Sequence, residues 1–298
     1  MKRYKKFVFM AEDGITFDVS NGIRGEVIIK AVKLKKKAEG FSENYMNPPI
    51  PDGYKHLYGE WNNGFVIERS SDKSQFVWIP VGSLKPNGTI DGKKFSKKFG
   101  RRNFNDISEF EKYQDLLNEE FSLQIKSVEK YGGFYISRYN ISQNDKDGKP
   151  QSIMGKKPMV YVDFYYAKNF ATLMETNYAV RSHLIFGAEY DSVLEWFLES
   201  GIKTENEIGN DSSEWGNCNN NRKLEETGSR NKWCANNIYD FAGNVEEWTQ
   251  EYNEEKDDEG FIVRGGEGEY KYSVSVRKCK YLKDSSYNVG FRVGLYVR

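Results

Sequence analysis

The sequence predicts an α+β fold of short, irregular strands and few helices, preceded by a small N-terminal β-meander. Three observations carry this. Residues 4–34 alternate apolar and polar side chains around Asp13-Gly14 and Asn21-Gly22, the signature of tight hairpins. Between 106 and 199, three segments instead repeat apolar residues at helical spacing. The stretch Asn236 to Gln250 then packs Ile238, Tyr239, Phe241, Val245 and Trp248 around Gly243-Asn244, so it reads as a buried loop that turns sharply between apolar anchors.

In chain order, the meander strands are expected at about 4–10, 15–19 and 25–32. Three short strands bury little apolar surface, so this sheet is expected to lean on the main domain or on another copy of itself. The basic run Lys35 to Lys37 reads as a solvated face. Residues 46–54, MNPPIPDGY, hold three of the seven prolines and cannot form a helix or a central strand. The boundary falls there, giving a β appendage at 1–45, a Pro-rich linker at 46–54 and a main domain at 55–298. Residues 64–69 and 75–80 read as paired strands about Ser70-Ser71-Asp72, and the polar segment 85–102 as an exposed loop.

Ile107, Phe110, Leu117, Phe121, Ile125 and Val128 predict an amphipathic helix over 106–130, which ends in a strand from Gly133. Residues 158–162 read as a strand. Asp163 is the expected N-cap of a helix that buries Phe164, Ala167, Phe170, Ala171 and Met174. A second helix is expected at 188–199, burying Val193, Leu194 and Phe197, with His183 before it as a structural histidine. The polar stretch 205–230, which holds Trp215, is long for a loop inside a compact domain, so it is expected to be functional or mobile.

Lysine plus arginine and aspartate plus glutamate both number 44, so no global charge bias points to nucleic acid or an anionic membrane. A mean hydropathy of −0.76 indicates a soluble chain. The basic N-terminus is interrupted by Glu12, Asp13 and Gly14, too early for a signal peptide or membrane span, which predicts a cytoplasmic protein at synthesis unless another route takes it to a virion or a cell surface. Cys218, Cys234 and Cys279 lack CxxC spacing, which argues for reduced thiols over a zinc site, with a Cys218 to Cys234 bridge as the minor alternative. Asp240 and Glu247 flank the Gly243-Asn244 turn. Two carboxylates and the carbonyls between them could form an oxygen-only site for a hard cation, or could cap nearby amides.

The run YDFAGNVEEWT, followed by IVRGG at 262–266 and GFRVGLYV at 290–297, resembles the C-terminal signature of the formylglycine-generating enzyme, or sulfatase-modifying factor, family. FVWIPVGS, KYGGFYISRYNIS and the 188–199 helix resemble its upstream elements more weakly, from about Trp61 onward. The resemblance implies an irregular C-type-lectin-like fold. It also implies a structural calcium ion held by the Asp240 and Glu247 side chains with the carbonyls of Gly243 and Val245. Glu246 departs from the pattern, standing where the family usually has Trp.

The family's oxidation of a sulfatase cysteine uses two thiolates that hold copper(I), a soft ion. Counting from Gly265-Gly266, those positions fall on Tyr270 and Ser275, so no bound copper is expected. The same cassette resembles the variable proteins of diversity-generating retroelements in phages and bacteria. Its Tyr, Ser and Lys content suits a recognition surface, although alternating half-exposed strand residues would give the same pattern. The expected ligand-binding set is Trp215, Glu267, Glu269, Tyr270, Tyr272, Ser273, Ser275, Lys278, Lys280 and Tyr281. The expected function is display of a protein or carbohydrate ligand site on a catalytically degenerate scaffold, without nucleic-acid or membrane partners. The alternatives are an oxidoreductase with a rearranged site and an assembly role with oligomer contacts through the N-terminal strands.

Overall fold

The computed structural model describes residues 7–10, 15–21, 27–33, 43–82, 99, 104, 113–218, 223–253, 260–265 and 273–298. Strands β1 (Phe7–Met10), β2 (Ile15–Asn21) and β3 (Val27–Lys33) form the expected antiparallel meander, with Phe9 opposite Phe17 and Phe17 opposite Ala31. After a short 3-10 turn at Glu43–Met46 come β4 (Tyr54–Tyr58), β5 (Val66–Arg69), β6 (Gln75–Pro80) and β7 (Tyr113–Asp115). Helix α1 (Glu119–Tyr131) leads to β8 (Gly133–Ser137) and the small hairpin β9 (Ser142–Gln143) and β10 (Pro150–Gln151). Then follow α2 (Phe164–Leu173), β11 (Val180–Leu184), α3 (Gly187–Glu199) and α4 (Glu205–Gly209). The remaining strands are β12 (Cys234–Ala235), β13 (Ile238–Tyr239), β14 (Glu246–Asn253), β15 (Gly260–Arg264), β16 (Lys278–Lys280), β17 (Val289–Phe291) and β18 (Val293–Val297).

A six-stranded sheet, β11-β18-β8-β6-β5-β4, forms the centre, and every pair in it is antiparallel. Along β6 and β8 the side chains alternate between two apolar cores. Val77, Ile79, Phe134 and Ile136 face one, with Val193, Leu194 and Phe197 of α3. Phe76, Trp78 and Tyr135 face the other, with Phe164, Ala167 and Ala171 of α2. Strands buried on both faces explain why FVWIP and GFYIS are almost continuously apolar. The second sheet, β16-β15-β14-β17, places β17 parallel to β14, with β7 pairing on the far end of β14.

Two expectations change. The helical pattern from 106 yields helix only from Glu119, because Asn118 caps it by accepting from Phe121 N at 2.8 Å and residues 113–115 pair instead with Glu251–Asn253. Residues 105–112 lie outside the described residues, as does nearly all of the expected loop 85–102. Residues 158–162 form no strand. Tyr161 takes φ 58°, and Met159 N and Tyr161 N donate to the separate carbonyls of Ile141 and Ser286. Asp163 caps α2 as expected, accepting from Tyr166 N at 2.8 Å. His183 is fully buried and bonded through Nε2 to Glu189, which also accepts from Gln124.

Tyr45, at the end of the predicted appendage, is fully buried; its carbonyl accepts from Trp78 Nε1 at 2.9 Å, and its backbone closes against Gly132 at φ 74°. A deletion that keeps residues 43–298 is therefore expected to fold. Tyr45→Ala in the full chain should cost about 3 kcal/mol or more by large-to-small logic. Urea midpoints of the two variants check this; an unfolded 43–298 fragment would show that the meander is part of the folding unit.

Candidate functional site

The buried loop begins at the β12–β13 hairpin, whose turn residues Asn236 and Asn237 take φ 43° and 66°. Asp240, Gly243 and Asn244 follow at φ 53°, 72° and 63°, conformations that Gly, Asn and Asp adopt most readily. A Cβ on Gly243 would lie 2.6 Å from the Asn217 backbone, so glycine is required there for close approach as well. Asn217, Glu225 and Gly228 of the polar stretch 205–230 thus lie against the loop. Asn244 Oδ1 accepts from Asn217 Nδ2 and Glu225 N, and Gly228 N donates to Asp240 Oδ2 at 2.8 Å.

The closing strands bring Arg292 against this loop. Its Nε donates to Glu247 Oε1 at 2.8 Å, Nη1 to Ser137 O, and Nη2 to the carbonyls of Tyr239 and Asp240. Asn140 Nδ2 donates to the same Glu247 oxygen at 2.6 Å. The side chains of Asn140, Asp240, Glu247 and Arg292 are fully buried. Among the described residues, Asp240 Oδ1, Glu247 Oε2 and Asn140 Oδ1 have no hydrogen-bond partner. Burial pushes the Asp240 carboxyl up to about 6, against the pull of the Gly228 amide and Arg292. Burial likewise pushes Glu247 up to about 7; Arg292 and Asn140 oppose the rise and the Asp240 charge adds to it.

One guanidinium therefore does not fully satisfy the pair. The unpartnered oxygens suit a hard cation, with Asp240 and Glu247 as its side-chain donors. No cluster of three His, Cys, Asp or Glu able to hold a metal occurs among the described residues, so backbone carbonyls would have to complete any such shell.

Beside it lies a second ionic assembly. Arg264 at the end of β15 reaches Asp191 Oδ1 at 2.7 Å and Glu251 Oε2 at 3.3 Å. Arg277 bonds the other oxygen of each, reaching Glu251 Oε1 at 2.9 Å and also Asp191 Oδ2. The result is a closed ring of two cations and two anions with side chains almost wholly out of water. Glu251 enters it after a register shift in β14 between Trp248 and Tyr252. It also approaches the start of α3 so closely that a Cβ on Gly187 would lie 2.6 Å from its Oε2, while Asp115 caps the same helix end through Gly187 N and Ala188 N.

The expected ligand-binding residues divide. Glu267, Glu269, Tyr270 and Tyr272 lie outside the described residues. Tyr281 is 61% exposed, while Lys278 and the less exposed Lys280 both pair with Glu246. Trp215, Ser273 and Ser275 face inward instead. Trp215 packs on Phe197 under Lys203 and donates from Nε1 to Glu207 O; Ser273 Oγ donates to Ile208 O and bonds Ser275 Oγ at 2.9 Å. Alternation could not reveal this, because serines that satisfy backbone carbonyls read like exposed polar residues. No disulfide joins Cys218, Cys234 or Cys279, so the Cys218 to Cys234 bridge is not formed.

Tyr161, Tyr165 and Tyr166, which the sequence reading did not single out, are 68%, 56% and 61% exposed. The α2 helical wheel carried the signal, since Tyr165 and Tyr166 fall off its buried face. The left-handed conformation of Tyr161 costs about 1–2 kcal/mol for a residue with a side chain.

Fold and buried loop together define the class, and the comparison with known families agrees. Residues 66–295 match the sulfatase-modifying factor enzyme 1-like domain, and the chain belongs to that family. Among solved structures, it is similar to CarF, with 16% identity, TM-score 0.40 and coverage of 56% of this chain and 87% of that one. It is also similar to PvdO from Pseudomonas aeruginosa, with 18% identity, TM-score 0.43 and 78% and 98% coverage. A third is Treponema denticola variable protein 1, with 15% identity, TM-score 0.41 and 82% and 99% coverage. None of the curated proteins compared with it matches. No helix among the described residues is long and apolar enough to cross a membrane.

Breaking the ionic ring should be costly, because a lone partner stays buried and charged. Glu251→Gln is expected to lose about 3–5 kcal/mol, and Arg277→Met added to it should cost less than the two single changes summed. Urea unfolding of the three variants tests this; strictly additive losses would mean the four groups do not act as a unit.

Proposed function

We propose that the chain is a ligand-binding display module on a catalytically degenerate, C-type-lectin-like scaffold, of the kind used by variable proteins of diversity-generating retroelements. The observation that carries the proposal is Ser275. Counted from Gly265-Gly266, it falls where the family resemblance implies the second copper-binding thiolate; it is buried and holds its hydroxyl against Ser273. Oxygen donors bind copper(I) poorly, and Cys279 stands on β16 opposite Ile262 of β15, in another element. Lys278 and Tyr281 of the same cassette reach solvent, and their amphipathic side chains suit recognition of a ligand.

The test is mass spectrometry of a sulfatase-type cysteine peptide incubated with the protein, copper and reductant. The peptide should remain unmodified. Appearance of the aldehyde product, lost in Cys279→Ala, would establish an oxidase with a rearranged site.

We also propose that Asp240 and Glu247, with the carbonyls of Gly243 and Val245, hold a structural calcium ion. The support is the pair's raised pKa values beside Arg292, a state that a divalent charge would relieve. Without the ion, both folded-state values lie above the unfolded ones. Their contribution is then fully present below about pH 4 and is lost as pH rises through 6 to 7. The melting temperature in chelator should therefore fall between pH 5 and 8 relative to a calcium-loaded sample. Identical profiles with and without calcium would mean Arg292 alone neutralises the pair.

A further inference from the structure

We propose that the N-terminal meander is a self-association module, in which one apolar face of β1, β2 and β3 packs on the same face of a second copy of this chain. The register of the strands defines that face. Residues directly opposite one another in an antiparallel pair share a face, and alternate residues along a strand return to it. Two rows therefore cross the whole sheet, Phe7 with Val19 and Ile29, and Phe9 with Phe17 and Ala31, and neither contains a polar residue. The pairs beyond these rows are mixed, Asn21 with Val27 at one end and Ile15 with Lys33 at the other. On the opposite face the central strand contributes only Thr16, Asp18 and Ser20, and the apolar residues there fall on the two outer strands. Asp18 lies opposite Lys30 on that face, a cross-strand pair of opposite charge that suits water.

A three-stranded sheet cannot bury such a face by itself, so a second layer has to cover it. Among the described elements the main domain does not supply that layer. β1 and β3 pair with β2, no further strand joins them, and no strand or helix after β3 packs on the three to a comparable extent. Among the described residues of the main domain, the large aliphatic side chains left in solvent are Ile50, Met154, Leu173 and Ile202, which lie on separate segments and make no layer of matching size. The face matches itself instead. Its centre is uncharged, so two copies meet there without repulsion, and Asn21 and Lys33 fall at its ends, giving an apolar core within a polar rim. At roughly 60 Å² for each apolar residue, two such faces together remove about 1,000 Å² from water, the lower bound of a specific interface. Lys30 and Lys33 on the edge strand β3 oppose edge-to-edge pairing, which leaves the face as the route to association. Sheet and dimer then form together, whatever the main domain binds.

Sedimentation velocity of the full-length protein over a roughly hundredfold concentration range tests the proposal, with hydrogen exchange of residues 7–33 measured at both extremes. The protein should sediment as a dimer at the upper end, and any dissociation on dilution should lower amide protection in the three strands. Phe17→Asp, at the centre of the face, should weaken association by about tenfold or more, whereas Ser20→Lys on the opposite face should leave it unchanged. Because the exchange measurement uses the unaltered protein, it decides the matter even where Phe17→Asp prevents the strands from forming. A monomer at every concentration whose strand amides stay protected would show that the main domain covers the face, and overturns the proposal. A monomer with unprotected strands, a dimer that Phe17→Asp leaves intact, an assembly larger than two copies, or a dimer that Ser20→Lys disrupts equally also overturns it.

Discussion

The docking of α3 against the second sheet depends on the closed ring of Asp191, Glu251, Arg264 and Arg277. It joins α3 to β14, β15 and the segment that leads into β16. Charges out of water are tolerable only when each is neutralised and hydrogen-bonded, so the ring has little value half built. Its members must arrive together, which couples the docking of α3 to completion of the second sheet. The guanidinium of Arg264 also lies 4.4 Å from the centre of the Tyr190 ring, so the ring is packed into the apolar core as well as against its own counter-charges. Arg264 and Arg277 additionally fix both flanks of the chain segment between them, whatever residues that segment carries.

Arg292 solves a related problem less completely. It crosslinks β8, the buried loop and the closing strands through Ser137, Tyr239, Asp240 and Glu247. Yet it supplies one positive charge to two buried carboxyls, and both remain displaced toward their neutral forms. In the ring, anions and cations balance; here they do not. The difference places the remaining electrostatic demand of the core at Asp240 and Glu247, where a proton or a cation can meet it.

Much of this was legible in the sequence where the signal was local. The 75–80 strand, the Asp163 cap, the α3 helix and the meander follow from periodicity and capping chemistry. The misreadings share a cause, which is that a distant strand or loop took the hydrogen bonds. Residues 113–115 carry apolar spacing compatible with helix, but β14 claims them. Residues 158–162 look like a strand, but their amides are satisfied one at a time by two separate segments. At the site, Asp240 and Glu247 could be paired because seven residues and a glycine turn bring them together. Arg292 could not be assigned to them, since it lies 45 residues beyond Glu247 and reads in sequence only as part of a terminal strand.

The aromatic residues show why composition stops short of function. An aromatic content of 15% fits equally a large core or a recognition surface, and the chain uses it for both. Tyr45, Tyr135, Tyr139 and Tyr190 are buried and lock sheet to loop, whereas Tyr161, Tyr165, Tyr166 and Tyr281 stand in water. The division does not follow residue type or local sequence, since Tyr165 adjoins the buried Phe164 and Tyr281 follows a strand whose neighbour Phe261 packs inward. It follows from which side of α2 and β16 the two cores claim. Even the outward rings keep contact with their own helix, Tyr165 edge-on to Phe164 and Tyr166 tilted against Phe170, so one residue type serves packing and solvent face together.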